Sequence, residues 1–248
     1  MQTSTPPLSC TSTKMNLGLR DTMEWLDKIV LPHAPALARV SFFACLPHPL
    51  LPLAQQRLRG TGLRVAAQNC CPDRGAFTGE VSADLLAETG CTHVMLGHAE
   101  RRRLFHEDDA LIGRKAVAAA RAGLVPLLCV GEDRRLGTQD ASRHVARQAA
   151  ALAGLPADRR ALVLYEPAWA IGSDEGASPE HAAEILRTLR SELGDERIGY
   201  LYGGAVLPGV YTALRRAAPW DGVALGRAAQ DSALLAEVLD ELLTGGSQ

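Results

Sequence analysis

The sequence predicts an α/β fold, a single (β/α)8 barrel spanning residues 1–248. Three observations carry that expectation: eight short apolar runs recur along the chain, longer amphipathic segments separate them, and 248 residues suffice for eight strand–helix repeats. No low-complexity tract or long linker divides the chain. The runs cover 8–13, 39–46, 63–68, 93–97, 125–131, 161–166, 198–202 and 222–226. Most are apolar at consecutive positions, the pattern of strands buried on both faces. The intervening segments have helical spacing. In 109–121, Leu111, Ile112, Val117 and Ala118 group on one face, with Arg114, Lys115 and Arg121 elsewhere. Ser178-Pro179-Glu180 reads as a helix start: a hydroxyl cap, proline in the first turn, then a carboxylate near the positive dipole end. Gly194 supplies the stop. The competing doubly wound sheet would carry GxGxxG after its first strand, and none stands there. Residues 1–7 read as a disordered extension ahead of the first strand.

Composition narrows the function classes. Twenty-six Lys+Arg against 28 Asp+Glu leave a formal charge of −2. That balance gives no electrostatic case for a nucleic-acid or membrane-surface protein, which needs a cationic excess on one face. No apolar run is long enough to span a bilayer. The start MQTSTPPLSC lacks a basic region followed by an apolar stretch, so a cytoplasmic location is expected. Cys10, Cys45, Cys70, Cys71, Cys91 and Cys129 form no CxxC pair, and four lie in apolar runs. They read as buried free thiols in a reducing compartment. The histidines show no zinc-ligand spacing, so no metal is expected.

In such barrels the chemistry sits where strands end and loops begin. The first run leads into Lys14, Met15 and Asn16. The fourth ends in Leu96-Gly97-His98-Ala99-Glu100, the sixth in Tyr165-Glu166-Pro167, the seventh in Tyr202-Gly203-Gly204 and the eighth in Leu225-Gly226-Arg227. A Lys, a His and a Glu thus converge on one rim beside two glycine-bearing turns, a set suited to proton transfer on an anionic substrate. Taken singly, each has a plainer reading. The lysine could be solvated, the histidine a helix cap or core residue, the glutamate a strand end before proline, and Gly203-Gly204 an ordinary turn.

The stretches AQNC (67–70), GAFTGEVS (75–82), LGHAERR (96–102), YEPAWAIG (165–172) and YGGAV (202–206) are similar to the triose-phosphate isomerase family. They stand in that family's order and at its intervals, from about Lys14 to the end of the chain. YEPxWAIG and LGHxERR are the specific signals. The resemblance implies a TIM barrel that interconverts dihydroxyacetone phosphate and glyceraldehyde 3-phosphate through an enediol, in glycolysis and gluconeogenesis. Glu166 matches the family's base, His98 its neutral electrophilic imidazole, Lys14 its ammonium and Glu100 a supporting carboxylate. The family is itself a standard case of a histidine kept neutral at a helix N-terminus. It is also a standard case of a closing lid that shields the intermediate from water. The matching lid is 167–176, led by Pro167, Ala168, Trp169, Ala170, Ile171 and Gly172. Phosphate would be gripped by backbone N–H groups at Gly172, Ala205, Gly226 and Arg227. No metal or organic cofactor is implied, because base, electrophile and cation are all side chains. The family pairs as homodimers through the loop matching 70–79, so Thr78 would approach the partner's Lys14 and the partner's His98.

Several positions depart from the family pattern. Ser12 stands where an asparagine is usual, Ala99 and Ala205 replace serines, and Arg227 replaces the second of two glycines. The hinge after the lid reads Ser173-Asp174-Glu175-Gly176, where Thr-Gly-Lys-Thr is commoner, so its charge is inverted. Arg227 could pair bidentately with a phosphate, or lie outward with only its N–H used. Ser12 and Arg227 together resemble a branch of the family acting on four-carbon ketose phosphates such as erythrulose phosphate. A barrel that binds a phosphorylated sugar without catalysis is the reading from another class. Retention of Glu166, His98 and Lys14 argues against it, since a pure binder needs no base.

Overall fold

Eight parallel strands close in sequence order, the last pairing with the first, in the computed structural model, which describes residues 6–245. They are β1 (Leu8–Ser12), β2 (Phe43–Leu46), β3 (Arg64–Ala67), β4 (His93–Leu96), β5 (Val125–Val130), β6 (Ala161–Tyr165), β7 (Ile198–Tyr202) and β8 (Gly222–Ala224). The helices between and after them are α1 (Leu19–Trp25), α2 (Ala34–Arg39), α3 (Leu51–Arg57), α4 (Ala83–Glu88), α5 (Ala99–Phe105), α6 (Asp109–Arg121), α7 (Thr138–Ala149), α8 (Pro179–Leu193), α9 (Val210–Ala217) and α10 (Ser232–Thr244). The fold is therefore the TIM barrel that the repeats predict. Of the expected N-terminal extension, residues 1–5 lie outside the described residues, and Pro6-Pro7 lead irregularly into β1. Among the described residues no helix is long and apolar enough to cross a membrane.

Strand parity explains the unbroken apolar runs. Cys10, Phe43, Cys45, Ala66, Met95, Leu127, Cys129, Leu162, Leu164 and Leu201 point inward and fill the barrel. Their neighbours, among them Ala44, Val65, Val94, Leu128, Val163 and Tyr200, pack outward under the helices. Both faces are dry, so both are apolar. All six cysteines are buried and unbridged. Burial pushes the thiols of Cys10, Cys45 and Cys129 well above the usual range. The β1–β8 seam requires Gly222, since a Cβ there would sit 1.8 Å from the Leu8 carbonyl oxygen.

Two local expectations change. The run 39–46 contains a strand only at Phe43–Leu46. Its first part closes helix α2: the Ser41 N–H bonds the Ala38 carbonyl and the Phe42 N–H reaches the Leu37 carbonyl, with Ser41 left-handed at φ 47. That is a helix-terminating motif with serine where glycine is usual. Val40 and Phe42 are buried all the same, so their hydrophobicity reports burial and not strand. In α6 the buried face is Ile112, Lys115, Ala116, Ala119 and Ala120, rotated from the grouping that Leu111, Val117 and Ala118 suggest. Lys115 can be buried because its ammonium donates to Glu107 (2.6 Å) and to the Asn69 side chain (2.8 Å). Helix α8 starts and stops where expected, with Ser178 accepting from the His181 N–H (3.2 Å) and Gly194 left-handed at φ 53.

At the N-terminal ends of β4 and β2, His93 stacks on Phe43, ring centroids 4.1 Å apart. Burial, with the charge of Arg64, pushes its pKa from 6.5 down to about 3. The unfolded chain therefore takes up a proton that the folded chain refuses. The stability held above pH 6.5 is lost progressively as pH falls toward 3. Between pH 8 and pH 5 this one group costs about 2 kcal/mol. His93→Gln should lose less stability over that interval by this amount, read from urea unfolding at both pH values. An unchanged pH dependence would show that the imidazole is not the cause.

Candidate active site

A cavity of about 420 Å³ opens where the strands end, and its lining includes Ser12, Lys14, His98, Glu166, Gly172, Ala205, Gly226 and Arg227. Residues up to 215 positions apart in the chain thus share one wall, because every β-to-α loop leaves the barrel at the same rim.

Lys14 follows β1 in a left-handed conformation, φ 50. For a residue with a Cβ this backbone costs about 1–2 kcal/mol. Its neighbours hold it there. The Gln68 side-chain amide donates to the Lys14 carbonyl (2.9 Å), and the Lys14 N–H donates to Ser12 Oγ (3.2 Å). The ammonium donates to Glu100 at 2.8 Å.

His98 caps helix α5 and lines the cavity at the same time. Its Nδ1 accepts the Glu100 N–H at 3.2 Å. An Nδ1 that accepts cannot carry a proton, so the neutral ring holds its proton on Nε2. That nitrogen faces the Glu166 carboxylate at 3.1 Å. The Glu100 carboxylate lies behind the pair, 3.5 Å from His98 Nδ1, and outside the cavity lining. Burial pushes its pKa up, but the Lys14 hydrogen bond and the charges of Lys14 and Arg103 bring it below the usual carboxylate value.

Glu166 leaves β6 with its N–H on the Val130 carbonyl (2.8 Å), and its side chain is largely buried. Gly131 lets the two strand ends approach: a Cβ there would lie 2.2 Å from the Glu166 carbonyl oxygen. The segment expected to form a lid follows at once. Ala170, Ile171, Gly172 and Ser173 cover the cavity. Pro167, Ala168 and Trp169 lie outside its lining and anchor the lid, the Ala168 N–H on the Glu132 carbonyl (2.9 Å) and Trp169 Nε1 on the Glu132 carboxylate (2.8 Å). The far end is tied where the Ala177 N–H meets the Tyr202 hydroxyl (2.8 Å).

Glu132 escaped the reading of strand ends. It is fully buried and also accepts from the Tyr165 hydroxyl (3.2 Å). The signal was present, since Gly131-Glu132 closes the fifth apolar run as the other rim residues close theirs.

On the opposite wall Ala205 is left-handed at φ 43, and Arg227 opens a 3-10 turn, Arg227–Gln230. The Arg227 guanidinium takes a third course beside the two left open by sequence. It turns to the lid, donating to Asp174 (2.7 Å) and to the Ser173 carbonyl (2.8 Å). Thr78 is exposed in a loop closed at its base by the Cys71 N–H on the Val81 carbonyl (2.7 Å). Among the described residues no group of three or more His, Cys, Asp or Glu is placed to hold a metal ion.

The arrangement offers a carboxylate, an N–H donor and an ammonium around a cavity that the segment 170–173 borders. It can take a proton from carbon and hold the oxyanion that results. Comparisons with known proteins agree on one group. A family profile described as Triosephosphate isomerase matches residues 7–242. The chain is 40% identical to an L-erythrulose-1-phosphate isomerase of Pectobacterium atrosepticum, over 96% of each chain. It is 34% identical to a triosephosphate isomerase of a Synechococcus strain, over 95% of this chain and 96% of that one. A crystal structure of triosephosphate isomerase from Bartonella henselae superposes with a TM-score of 0.79 at 30% identity, covering 96% of this chain and 99% of the other.

Proposed function

Because the chain belongs to the triosephosphate isomerase family, we propose that it is an aldose–ketose isomerase acting on a short sugar phosphate, with Glu166 as the base. The observation that carries this reading is the Glu166 carboxylate 3.1 Å from His98 Nε2 on the wall of a cavity that Lys14 also lines. Glu166 takes a proton from the carbon beside the carbonyl, and the carbonyl oxygen accepts from the Nε2–H of His98. Lys14 offsets the charge that develops. His98 passes its Nε2 proton to the carbonyl oxygen and takes the proton of the neighbouring hydroxyl, and the acid form of Glu166 then protonates the former carbonyl carbon, so that carboxylate and imidazole are both restored. Phosphate is held by the N–H groups of Gly172, Ala205, Gly226 and Arg227, and the lid keeps water from an enediol that would otherwise expel phosphate.

Dihydroxyacetone phosphate and glyceraldehyde 3-phosphate are the first pair to test. A second reading, a four-carbon ketose phosphate such as erythrulose phosphate, is favoured by two shortened side chains in the lining. Ser12 is tied back to the Lys14 N–H and to Gln68, and Ala205 presents only a methyl group. Both leave room that an asparagine and a serine would fill. The erythrulose-phosphate relative is similar along nearly its whole length.

Incubation in D2O with each ketose phosphate decides between them. Deuterium entering dihydroxyacetone phosphate supports the triose reaction and a place in glycolysis and gluconeogenesis. Exchange confined to erythrulose phosphate selects the second reading. No exchange into either leaves a phospho-sugar-binding barrel and removes the enzyme reading.

Pairing of two copies through the loop around Thr78 is supported by exposed apolar residues on that half of the rim. Met15, Phe77, Leu104 and Phe105 follow β1, β3 or β4 and are exposed in one chain. Sedimentation should give twice 26.4 kDa; a monomer at micromolar concentration would rule the pairing out. Six unbridged thiols suit a reducing compartment such as the cytoplasm.

A further inference from the structure

We propose that Arg135 and Arg227 are positioning residues that clamp the lid over bound phosphate by gripping its acidic hinge. The proposal deepens the isomerase reading, on which it rests for the substrate. Two features singled out in the sequence, the inverted hinge charge and Arg227, play no part in the proton transfer, and the structure joins them. From the β8 side, one guanidinium makes two bonds to the hinge: Arg227 Nη1 to Asp174 at 2.7 Å and Nη2 to the Ser173 carbonyl at 2.8 Å. From the β5 side, Arg135 Nη2 donates to Glu175 at 2.7 Å, and its guanidinium carbon lies 4.5 Å from the centre of the Trp169 ring at the other end of the lid.

Two cations on separate loops therefore meet neighbouring carboxylates on one short hinge. A lysine in this hinge would repel both. The acidic hinge and Arg227 form a matched set, and a glycine at 227 would leave Asp174 without its partner. Arg227 has a second office. Its backbone opens the turn on the phosphate wall while its side chain holds the lid, so a single residue links phosphate binding to closure. Each pair is exposed, so its separate effect is small, about two- to five-fold. Their strength lies in acting on the same few residues, and being exposed they weaken with salt.

The test compares Asp174→Asn, Glu175→Gln, the pair of them together, Arg227→Met, and Arg227→Met with Asp174→Asn. Binding of inorganic phosphate is followed by titration calorimetry, and kcat/KM is measured at low and high ionic strength. Each single change should weaken phosphate binding and kcat/KM about two- to five-fold. Asp174→Asn with Glu175→Gln should lose about ten-fold and should release more inorganic phosphate per turnover, the mark of a leaking lid. The deficit should shrink in about 0.5 M salt, where screening acts within about 4 Å. Arg227→Met with Asp174→Asn should be no worse than the poorer single variant. Two results overturn the proposal: wild-type phosphate binding and turnover in the doubly neutralised hinge at low salt, or losses from Arg227→Met and Asp174→Asn that multiply. Latch-dependent phosphate binding in a protein that turns over neither sugar phosphate would instead remove the isomerase reading and leave the clamp standing.

Discussion

Glu166→Gln is expected to lower kcat by about 10²–10⁴-fold, the range for loss of a positioned general base, while the barrel stays folded. Glutamine has the same shape and keeps an oxygen that can accept the His98 Nε2–H, which the carboxylate now faces at 3.1 Å. The backbone bond from residue 166 to the Val130 carbonyl does not involve the side chain. What disappears is the basicity that removes a proton from carbon. Steady-state turnover on both ketose phosphates, with thermal unfolding as the check on folding, measures the effect. A loss below about ten-fold would put the base elsewhere. His98 could not replace it as it stands, because its Nδ1 is engaged with the Glu100 N–H and its Nε2 carries the proton.

Gly131→Ala should damage the same chemistry without touching a reacting group. The added methyl would lie 2.2 Å from the Glu166 carbonyl oxygen, 2.6 Å from its carbonyl carbon and 3.0 Å from Pro167 Cα. All three are backbone atoms, so no rotamer change relieves the contact. The ends of β5 and β6 must part, taking with them the bond between the Glu166 N–H and Val130 and the first residue of the lid. Overpacking of this kind costs about 1–3 kcal/mol. A base displaced by about 1 Å loses about 10²-fold in rate. Urea unfolding and kcat read the two effects separately. Gly137→Ala, where a Cβ would meet nothing within 4 Å, is the control for kcat and should leave it unchanged, although alanine is a poorer N-cap than glycine for α7. Wild-type kcat in Gly131→Ala would show that the base does not depend on this close approach.

Much of this site was legible before any coordinate. Hydrophobic runs and helical spacing are local properties, and they located the strands because a barrel strand is buried on both faces wherever it occurs. The ends were less sharp. Val40 and Phe42 extended the second run because burial and strand look alike in composition, and only the bonds from residues 41 and 42 back to Ala38 and Leu37 showed a helix terminus. Sequence puts Lys115 off the apolar face for the same reason in reverse. A charge reads as exposed until its partners are seen, and Glu107 and Asn69 come from other loops.

Sequence by itself determined the repeat, the rim at which Lys14, His98 and Glu166 stand, and the motifs that join this chain to its family. Tertiary structure alone decided what those side chains touch: that His98 Nε2 faces Glu166, that Trp169 donates to Glu132, and that Arg227 donates to Asp174 and the Ser173 carbonyl. The reason is physical. Burial and periodicity are written into neighbouring residues, whereas a hydrogen bond between Arg227 and Asp174 joins positions 53 apart and exists only once the barrel has closed.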